Sequence, residues 1–172
     1  GVAIESNRTK LLPLDKDKIK NVGIIAISPD KNIVNTLNNG LGESFKKRGI
    51  NTTIVRNLYS YDEIDKLTQE NDLIIYVGAR VGKFKFFGID ERESFNFVLH
   101  SGAEKSMGLS LGDPYIYFDE FSILDTFINA YIPTNEAQEA AVKMILGELP
   151  LNNTGAFNII PEKFREYESY ER

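Results

Sequence analysis

The chain has 172 residues, of which 42% are hydrophobic, enough for one domain with a single buried core. Its 20 basic and 25 acidic residues give a net charge of −5, which argues against a surface that binds nucleic acid. The sequence has no cysteine, which excludes disulfides, thiol catalysis and thiolate metal sites, and no apolar run approaches the roughly 20 residues of a membrane span. We therefore expect residues 1–172 to form a single domain with neither a nucleic-acid partner nor a membrane span.

The first predicted elements are a strand and a long helix. Val22–Ile27 is a short apolar run typical of a strand buried on both faces, and a helix is predicted from Asp30 to Arg48 with Gly49 at its C-cap. The basic end of this helix, Lys46-Lys47-Arg48, fits the preference for cations at a helix C-terminus. The apolar residues of the helix recur at every fourth position: Ile33, Leu37, Leu41 and Phe45.

A second strand–helix pair follows, and then a third strand. Asn51–Val55 is predicted to be a strand of alternating character. The next helix would begin near Ser60, whose hydroxyl and Glu63 would form a capping box, and it would turn Ile64 and Leu67 inward. Residues 72–79 are predicted to form another buried strand.

The second half of the chain continues the alternation. A helix is predicted at Asp90–Ser101, strands at Lys105–Leu111 and Thr126–Tyr131, a helix at Asn135–Leu146, and an edge strand at Thr154–Ile160. The last of these helices would have one apolar side: Ala137, Ala140, Ala141, Met144 and Ile145. The tail, residues 162–172, has no clear period and is expected to be loosely ordered.

Strands that alternate with helices predict the α/β class. We expect a three-layer α/β/α sandwich around a mostly parallel sheet of five or six strands, with right-handed crossovers. Ligands of such sheets bind beyond the carboxyl ends of the strands, so the loops that follow the strands are the candidate positions for a site.

The loops that follow two of these strands lack the signatures of nucleotide and phosphotransfer sites. Residues 28–32, Ser-Pro-Asp-Lys-Asn, stand where a dinucleotide-binding fold needs Gly-x-Gly-x-x-Gly to bring its backbone to a pyrophosphate. This disfavours NAD and FMN, and no cofactor is predicted. Ala79-Arg80 stands where a response regulator would have its phosphoacceptor aspartate, which disfavours that class.

The stretch Gly108–Gly112 matches the Gly-x-Ser-x-Gly pattern of a nucleophile elbow. Such a serine needs a sharp turn between a strand and a helix, whereas Ser110 lies inside an apolar run. The only histidine, His100, precedes the serine, opposite to the order in α/β-hydrolases, and a single histidine forms no metal cluster. We predict that Ser110 is a buried strand residue.

Several motifs together resemble a known family. They are Leu11-Leu12-Pro13-Leu14, the stretch from Leu109 to Tyr115 with its Gly112-Asp113-Pro114 turn, Ala130 to Ala141, and Ile145 to Pro150. In this order they resemble the C-terminal domain of glycoside hydrolase family 3, in its β-N-acetylglucosaminidase (β-N-acetylhexosaminidase) branch. Residues 101–106 and 156–158 depart from the pattern of the family.

The resemblance implies a role as one half of a glycosidase. In this family the catalytic nucleophile lies on an N-terminal barrel domain, for which 172 residues leave no room. The chain would then be a companion domain, inactive alone, of a protein that cleaves terminal β-linked N-acetylglucosamine with retention, and its partners would be the barrel and a carbohydrate. We further expect the chain to be a part of a longer protein, which the resemblance places outside the cell or in the cell envelope.

No catalytic residue is assigned, but four residues are candidates for positions next to the substrate. Arg80 and Asp90 flank an aromatic and basic loop, residues 82–88, of a composition that suits stacking on sugar rings or packing against another domain. Asp113 lies in the Gly-Asp-Pro turn, and Tyr131 is the last residue of the fifth predicted strand, in the motif from Ala130 to Ala141. No pair of carboxylates is placed together by the sequence, and Glu91, Glu93, Glu136 and Glu139 are interpreted as solvated helix positions.

Two alternatives stay open. The chain would also fit a stand-alone small-molecule-binding or interaction domain of flavodoxin-like architecture. A third reading is a non-catalytic interaction module of a cell-wall protein whose barrel has lost its activity.

Overall fold

A computed structural model describes residues 2–8, 10–58, 60–79, 103–112 and 124–151. The strands within these ranges are β1 (Ala3–Asn7), β2 (Asn21–Ile27), β3 (Asn51–Arg56), β4 (Leu73–Gly78), β5 (Ser106–Ser110) and β6 (Thr126–Asn129). The helices are α1 (Ile33–Leu37), a π-helical turn (Asn38–Gly42), α2 (Glu43–Lys46), α3 (Tyr61–Glu70) and α4 (Asn135–Ile145), with a 3-10 turn at Ala103–Lys105.

The six strands form one sheet in the order β1-β6-β5-β4-β2-β3. Strands β2 to β6 are parallel to their neighbours, and β1 is antiparallel to β6 at one edge. All residues of β4 and all but the first of β2 are buried, as expected for strands in the middle of a sheet with both faces covered. The fold is the predicted α/β sandwich with a mostly parallel sheet.

The two faces of the sheet pack against different helices. On one face Ile24 of β2 and Ile75 of β4 share a core with Leu41, Phe45 and the buried residues of α4. On the other face Gly23 of β2 lies under α3, where an added Cβ would come within 3.1 Å of the Leu67 side chain. Successive residues of a strand face opposite sides of the sheet, so neighbours such as Gly23 and Ile24 contribute to opposite layers.

The helix predicted from Asp30 to Arg48 is present but contains a π-helical turn in its middle. Its apolar residues at every fourth position, Ile33, Leu37, Leu41 and Phe45, are all buried. A spacing of four is longer than the 3.6 residues of an α-helical turn, so these positions would drift around a regular helix. The wider π-helical turn at Asn38–Gly42 compensates for this drift and keeps them on one side.

The helix ends agree with the sequence in position but not in every contact. Gly49 has a left-handed φ of +74°, and its amide donates to the carbonyl of Lys46, as predicted for a C-cap. Ser60 is the N-cap of α3, but its side chain makes no capping hydrogen bond, so the predicted capping box with Glu63 is wrong. Ile64 and Leu67 are buried as predicted.

The sequence did not predict strand β1. In the structure β1 completes the six-stranded sheet at one edge. The helix predicted at Asp90–Ser101, the strand predicted at Thr154–Ile160 and the tail at 162–172 lie outside the described residues. None of the described helices has the length and apolar character needed to cross a membrane.

Candidate functional site at the carboxyl edge of the sheet

The parallel strands β2 to β6 end at one edge of the sheet, which we call the carboxyl edge. The strand order reverses there, because β3 lies on one side of β2 and β4 on the other. In doubly wound sheets the crevice at such a reversal is the usual position of a ligand. At this crevice, Ser28 is the first residue after β2 and Ala79 is the first residue after β4.

The loop after β2 is fixed by polar contacts from the end of β3. The side-chain oxygen of Asn57 accepts a hydrogen bond from the Ser28 amide at 3.2 Å, and its Nδ2 donates to the Ser28 carbonyl at 3.2 Å. The Arg56 guanidinium donates to the same carbonyl at 3.0 Å. Asn57 has a φ of +52°, a left-handed conformation that asparagine tolerates better than most residues.

The same loop uses its own side chains to satisfy its amides. Ser28 Oγ accepts from the Asp30 amide at 3.1 Å, and Asp30 Oδ1 accepts from the Asn32 amide at 2.8 Å. In a phosphate-binding loop such amides point to the ligand. Here three of them, at Ser28, Asp30 and Asn32, are engaged within the protein.

Of the four candidate residues, Tyr131 is the one that the structure describes. It follows β6 at the carboxyl edge, is half-buried, and has a left-handed φ of +64°. The next residue, Ile132, has an exposed fraction of 53%, and its amide donates to the Ala130 carbonyl at 2.7 Å. The loop 131–134 then ends at Thr134, whose hydroxyl accepts from the Ala137 amide at 3.2 Å and caps α4.

The other candidates, Arg80, Asp90 and Asp113, lie outside the described residues, as does His100. Their proximity to Tyr131 therefore stays a prediction. Within the described ranges, no three histidine, aspartate or glutamate side chains lie where they could hold a metal ion together.

Ser110 is a buried strand residue, as predicted. It has an exposed fraction of 0% and lies in β5, opposite Gly78 of β4 and Asn129 of β6. Its carbonyl accepts from the Ala130 amide at 2.8 Å, in the register of the parallel sheet. A nucleophile elbow needs an exposed serine on a turn that leads into a helix, so this position does not form one.

Gln138, a fully buried amide on α4, was not predicted from the sequence as a functional residue. The side of α4 predicted to be apolar, from Ala137 to Ile145, has Gln138 and Val142 among its buried residues, whereas Ala137 and Ala140 are half-buried. The Gln138 amide contacts Leu41 in the π-helical turn and Pro133 in the loop 131–134. Gly40 is the residue of the sequence that could have indicated this contact, since a glycine inside a helix often marks a close approach by another group.

A second polar cluster lies at the opposite, amino edge of the sheet. Arg48, just before β3, donates to both carboxylate oxygens of Glu148 and, at 3.1 Å, to Glu139 Oε1. A further donor of Arg48 bonds to the Ser44 carbonyl at 2.7 Å. The interpretation of Glu139 as a solvated helix position is therefore wrong, because α4 turns it toward the end of α2.

These contacts change the pKa of each carboxyl group in the cluster. A hydrogen bond from the Ser44 hydroxyl, together with Arg48, lowers the pKa of Glu139, and hydrogen bonding to Arg48 lowers the pKa of Glu148. At the same edge, the amides of Lys20 and Asn21 donate to Asp72 and lower its pKa. All three carboxylates are thus held in the charged form, as in structural contacts that join elements.

Comparisons with known proteins point to the fold. No family model matches the sequence, and no curated protein matches it. Solved structures do match: a fungal multi-domain family 3 β-N-acetylglucosaminidase shares a TM-score of 0.66 and 22% identity over 86% of this chain. The chain has the fold of one region of family 3 glycosidases.

Two further structures give the same result. A family 3 β-N-acetylglucosaminidase from Paenibacillus sp. shares a TM-score of 0.62 and 16% identity over 90% of the chain. The β-glucoside phosphorylase BglX shares a TM-score of 0.61 and 18% identity over 91%. The chain spans 16%, 31% and 29% of these three proteins, respectively. The resemblance predicted from the sequence is confirmed at the level of the fold.

Proposed function

We propose that this chain is the companion domain of a family 3 glycosidase that hydrolyses terminal β-linked N-acetylglucosamine, and that it has no catalytic activity alone. The observation that carries the proposal is the extent of the structural likeness. It includes 86–91% of this chain but only 16–31% of the solved proteins, two of which are named β-N-acetylglucosaminidases. The proposed partner is a barrel domain with the catalytic nucleophile, and the proposed ligand is a carbohydrate.

The ionisation of three described carboxylates supports a structural role for them and not that of a general acid. Glycoside hydrolysis most often uses a carboxylic acid with a raised pKa, which protonates the leaving oxygen, and a second carboxylate. Glu139, Glu148 and Asp72 have lowered pKa values, the opposite of what a general acid needs. They also lie at the amino edge of the sheet, away from the loops where a ligand is expected.

The choice of N-acetylglucosamine over glucose rests on the sequence motifs. The solved structures include both β-N-acetylglucosaminidases and a β-glucoside phosphorylase, so the fold by itself fits either sugar. The Gly112-Asp113-Pro114 turn and the stretch from Thr134 to Ala141 resemble the N-acetylglucosaminidase branch. The four candidates next to the substrate remain Arg80, Asp90, Asp113 and Tyr131.

An activity assay with two chromogenic substrates tests the proposal. We expect the 172-residue chain to turn over neither a β-N-acetylglucosaminide nor a β-glucoside above background, since the nucleophile would belong to the barrel. The parent protein should hydrolyse the β-N-acetylglucosaminide and not the β-glucoside. Saturable hydrolysis by the isolated chain would contradict the companion role, and a preference of the parent for the β-glucoside would contradict the proposed sugar.

The alternative of a stand-alone ligand-binding domain is favoured by one observation. The parallel strands follow the order β3-β2-β4-β5-β6, which is the strand order of flavodoxin-like folds. A thermal-shift screen of the chain with FMN, nucleotides and N-acetylglucosamine separates the two functions. A saturable shift with FMN or a nucleotide would favour the stand-alone domain.

A further inference from the structure

The Gln138 side chain connects two parts of the protein through its amide. Its Oε1 accepts a hydrogen bond from the Leu41 amide at 2.9 Å. Its Nε2 donates to the Pro133 carbonyl at 3.2 Å and to the Thr36 carbonyl at 3.4 Å. The Gln138 side chain is fully buried, and its bond with the Leu41 amide is buried with it, whereas the bonds to Pro133 and Thr36 are partly buried.

The helical segment 33–46 is shaped to receive this amide. In a regular α-helix the amide of Leu41 would donate to the carbonyl of Leu37, but here Gln138 takes that place in the π-helical turn. A Cβ added to Gly40 would overlap the Gln138 amide. Glycine inside a helix is unfavourable by about 1 kcal/mol relative to alanine, so the segment gives up intrinsic helix stability to make this contact.

The other side of the contact is the loop 131–134 at the carboxyl edge. This loop begins with Tyr131 in a left-handed conformation, which is strained for a residue other than glycine. It ends with Thr134 as the cap of α4. Between them, the Pro133 carbonyl is bonded to Gln138.

We propose that Gln138 is a positioning residue that holds the loop 131–134, and with it Tyr131, in place at the carboxyl edge against the helical segment 33–46. If Gln138 only filled the core, an apolar side chain would serve better, because a buried amide is unfavourable unless its hydrogen bonds are satisfied. The contact places the loop in a defined conformation before any ligand or partner is bound, which reduces the entropic cost of binding there.

Three variants of the 172-residue chain separate core filling from positioning. Gln138→Ala removes the amide. Gly40→Ala introduces a methyl group where the amide lies. In the double variant Gly40→Ala/Gln138→Ala, the methyl group occupies part of the vacated space and alanine favours a regular helix, while the bond to the Pro133 carbonyl stays absent. Gln138→Met keeps a side chain of similar length in the core and serves if the alanine variant does not fold.

Hydrogen exchange at single amides is the measurement. In Gln138→Ala and Gln138→Met we expect the Leu41 amide, and the loop amide of Ile132 that donates to the Ala130 carbonyl, to exchange about tenfold faster, as for the loss of one hydrogen bond. In the double variant the Leu41 amide should recover its protection, whereas the loop should stay fast. Cleavage by chymotrypsin after Tyr131 should rise in the same variants.

The control is Thr68→Val, which removes another buried bond, the one from the Thr68 hydroxyl to the Ile64 carbonyl in α3. It lowers stability without touching the loop, so exchange at residues 131–134 should stay at the wild-type rate. The inference is overturned if the loop keeps its wild-type protection in Gln138→Ala and Gln138→Met. It is equally overturned if the loop recovers together with Leu41 in the double variant.

A second measurement rests on the proposed function. In the parent glycosidase, the double variant should raise the KM for a β-N-acetylglucosaminide several-fold with little change in kcat, as expected for a lost positioning contact. An unchanged KM together with a mobile loop would show that the loop does not face the substrate. The exchange experiment on the chain alone stands whether or not the parent is a glycosidase, so the two failures are distinguishable.

Discussion

Ser110 lies inside strand β5, which pairs with β4 on one side and β6 on the other. It is opposite Gly78 and Asn129, and its exposed fraction is 0%. The pattern Gly-x-Ser-x-Gly therefore has no catalytic meaning at this position. The glycine at position 108 has a packing reason instead, because a Cβ there would overlap the ring of Phe127.

Replacing Ser110 with alanine tests this assignment. We expect the fold and any ligand response to remain, with a loss of at most about 1–3 kcal/mol in the free energy of unfolding from the lost hydroxyl contacts. A serine-reactive fluorophosphonate should not label the folded wild-type protein, as read by intact mass. Stoichiometric labelling at Ser110 would mean an exposed, activated hydroxyl and an esterase-like function.

The Arg48 cluster joins the end of α2 to α4 and the turn after it, whereas Gln138 joins α4 to the π-helical turn. The side chain of Arg48 has an exposed fraction of 12% and bonds to Glu139, Glu148 and the Ser44 carbonyl. A guanidinium with several partners is a better-defined contact than a single surface pair. The cluster therefore fixes the end of α2 and the turn after α4 at the amino edge.

Replacing Arg48 with methionine should weaken this junction. Methionine keeps much of the apolar stem but leaves both carboxylates without their guanidinium, and we expect the free energy of unfolding at pH 7 to fall by about 1–2 kcal/mol. Urea denaturation of both proteins measures this difference in the free energy of unfolding. The control is Lys66→Met, since Lys66 and Glu70 form an exposed pair at 4.0 Å whose loss should change stability by less than about 0.5 kcal/mol. Equal effects of the two substitutions would show that the cluster adds nothing to stability.

The elements that the sequence predicted correctly are those with strong local signals. Strands β2 and β4 are mostly apolar runs, and Gly49 ends its helix with the residue type best suited to a left-handed φ. Strand β1 has no such signal, because its sequence, Ala-Ile-Glu-Ser-Asn, is not an apolar run and its place depends on pairing with the distant β6. The π-helical turn likewise has a contact that no local pattern indicates, because the Leu41 amide donates to Gln138, which is 97 residues away.

At the scale of the whole molecule, topology predicts the position of a site better than its chemistry. The alternation of elements in the sequence predicted a site beyond the carboxyl ends of the strands, whereas the crevice between β2 and β4 follows from the strand order that the structure shows. The side chains that would act there lie mainly in loops. Loops have no hydrophobic periodicity, so the sequence gives little indication of their conformation. Tyr131 lies at the carboxyl edge, as expected, whereas the positions of Arg80, Asp90 and Asp113 remain predictions.

The stability of the whole domain should depend on pH through carboxylates at the amino edge. The pKa values of Glu139, Glu148 and Asp72 are lowered in the folded protein. Each of these groups contributes stability that is fully present above its ordinary pKa, 4.5 for glutamate and 3.8 for aspartate, and is lost as the pH falls through the folded value. The free energy of unfolding of the wild type should therefore decrease from about pH 5 to about pH 3.

The Arg48→Met variant separates the glutamate part of this dependence from the aspartate part. Without the guanidinium, the pKa values of Glu139 and Glu148 should move toward the ordinary value, so the variant should lose less stability than the wild type on acidification. The difference between the two proteins should be largest at pH 7 and should shrink as the glutamates become protonated. Asp72→Asn should remove a separate, lower-pH part of the dependence, because Asp72 interacts with the amides of Lys20 and Asn21 and not with Arg48. Urea denaturation at several pH values measures all three curves. Parallel curves for the wild type and Arg48→Met would mean that the glutamates ionise independently of Arg48, and the junction between α2 and α4 would then have to be attributed to apolar packing.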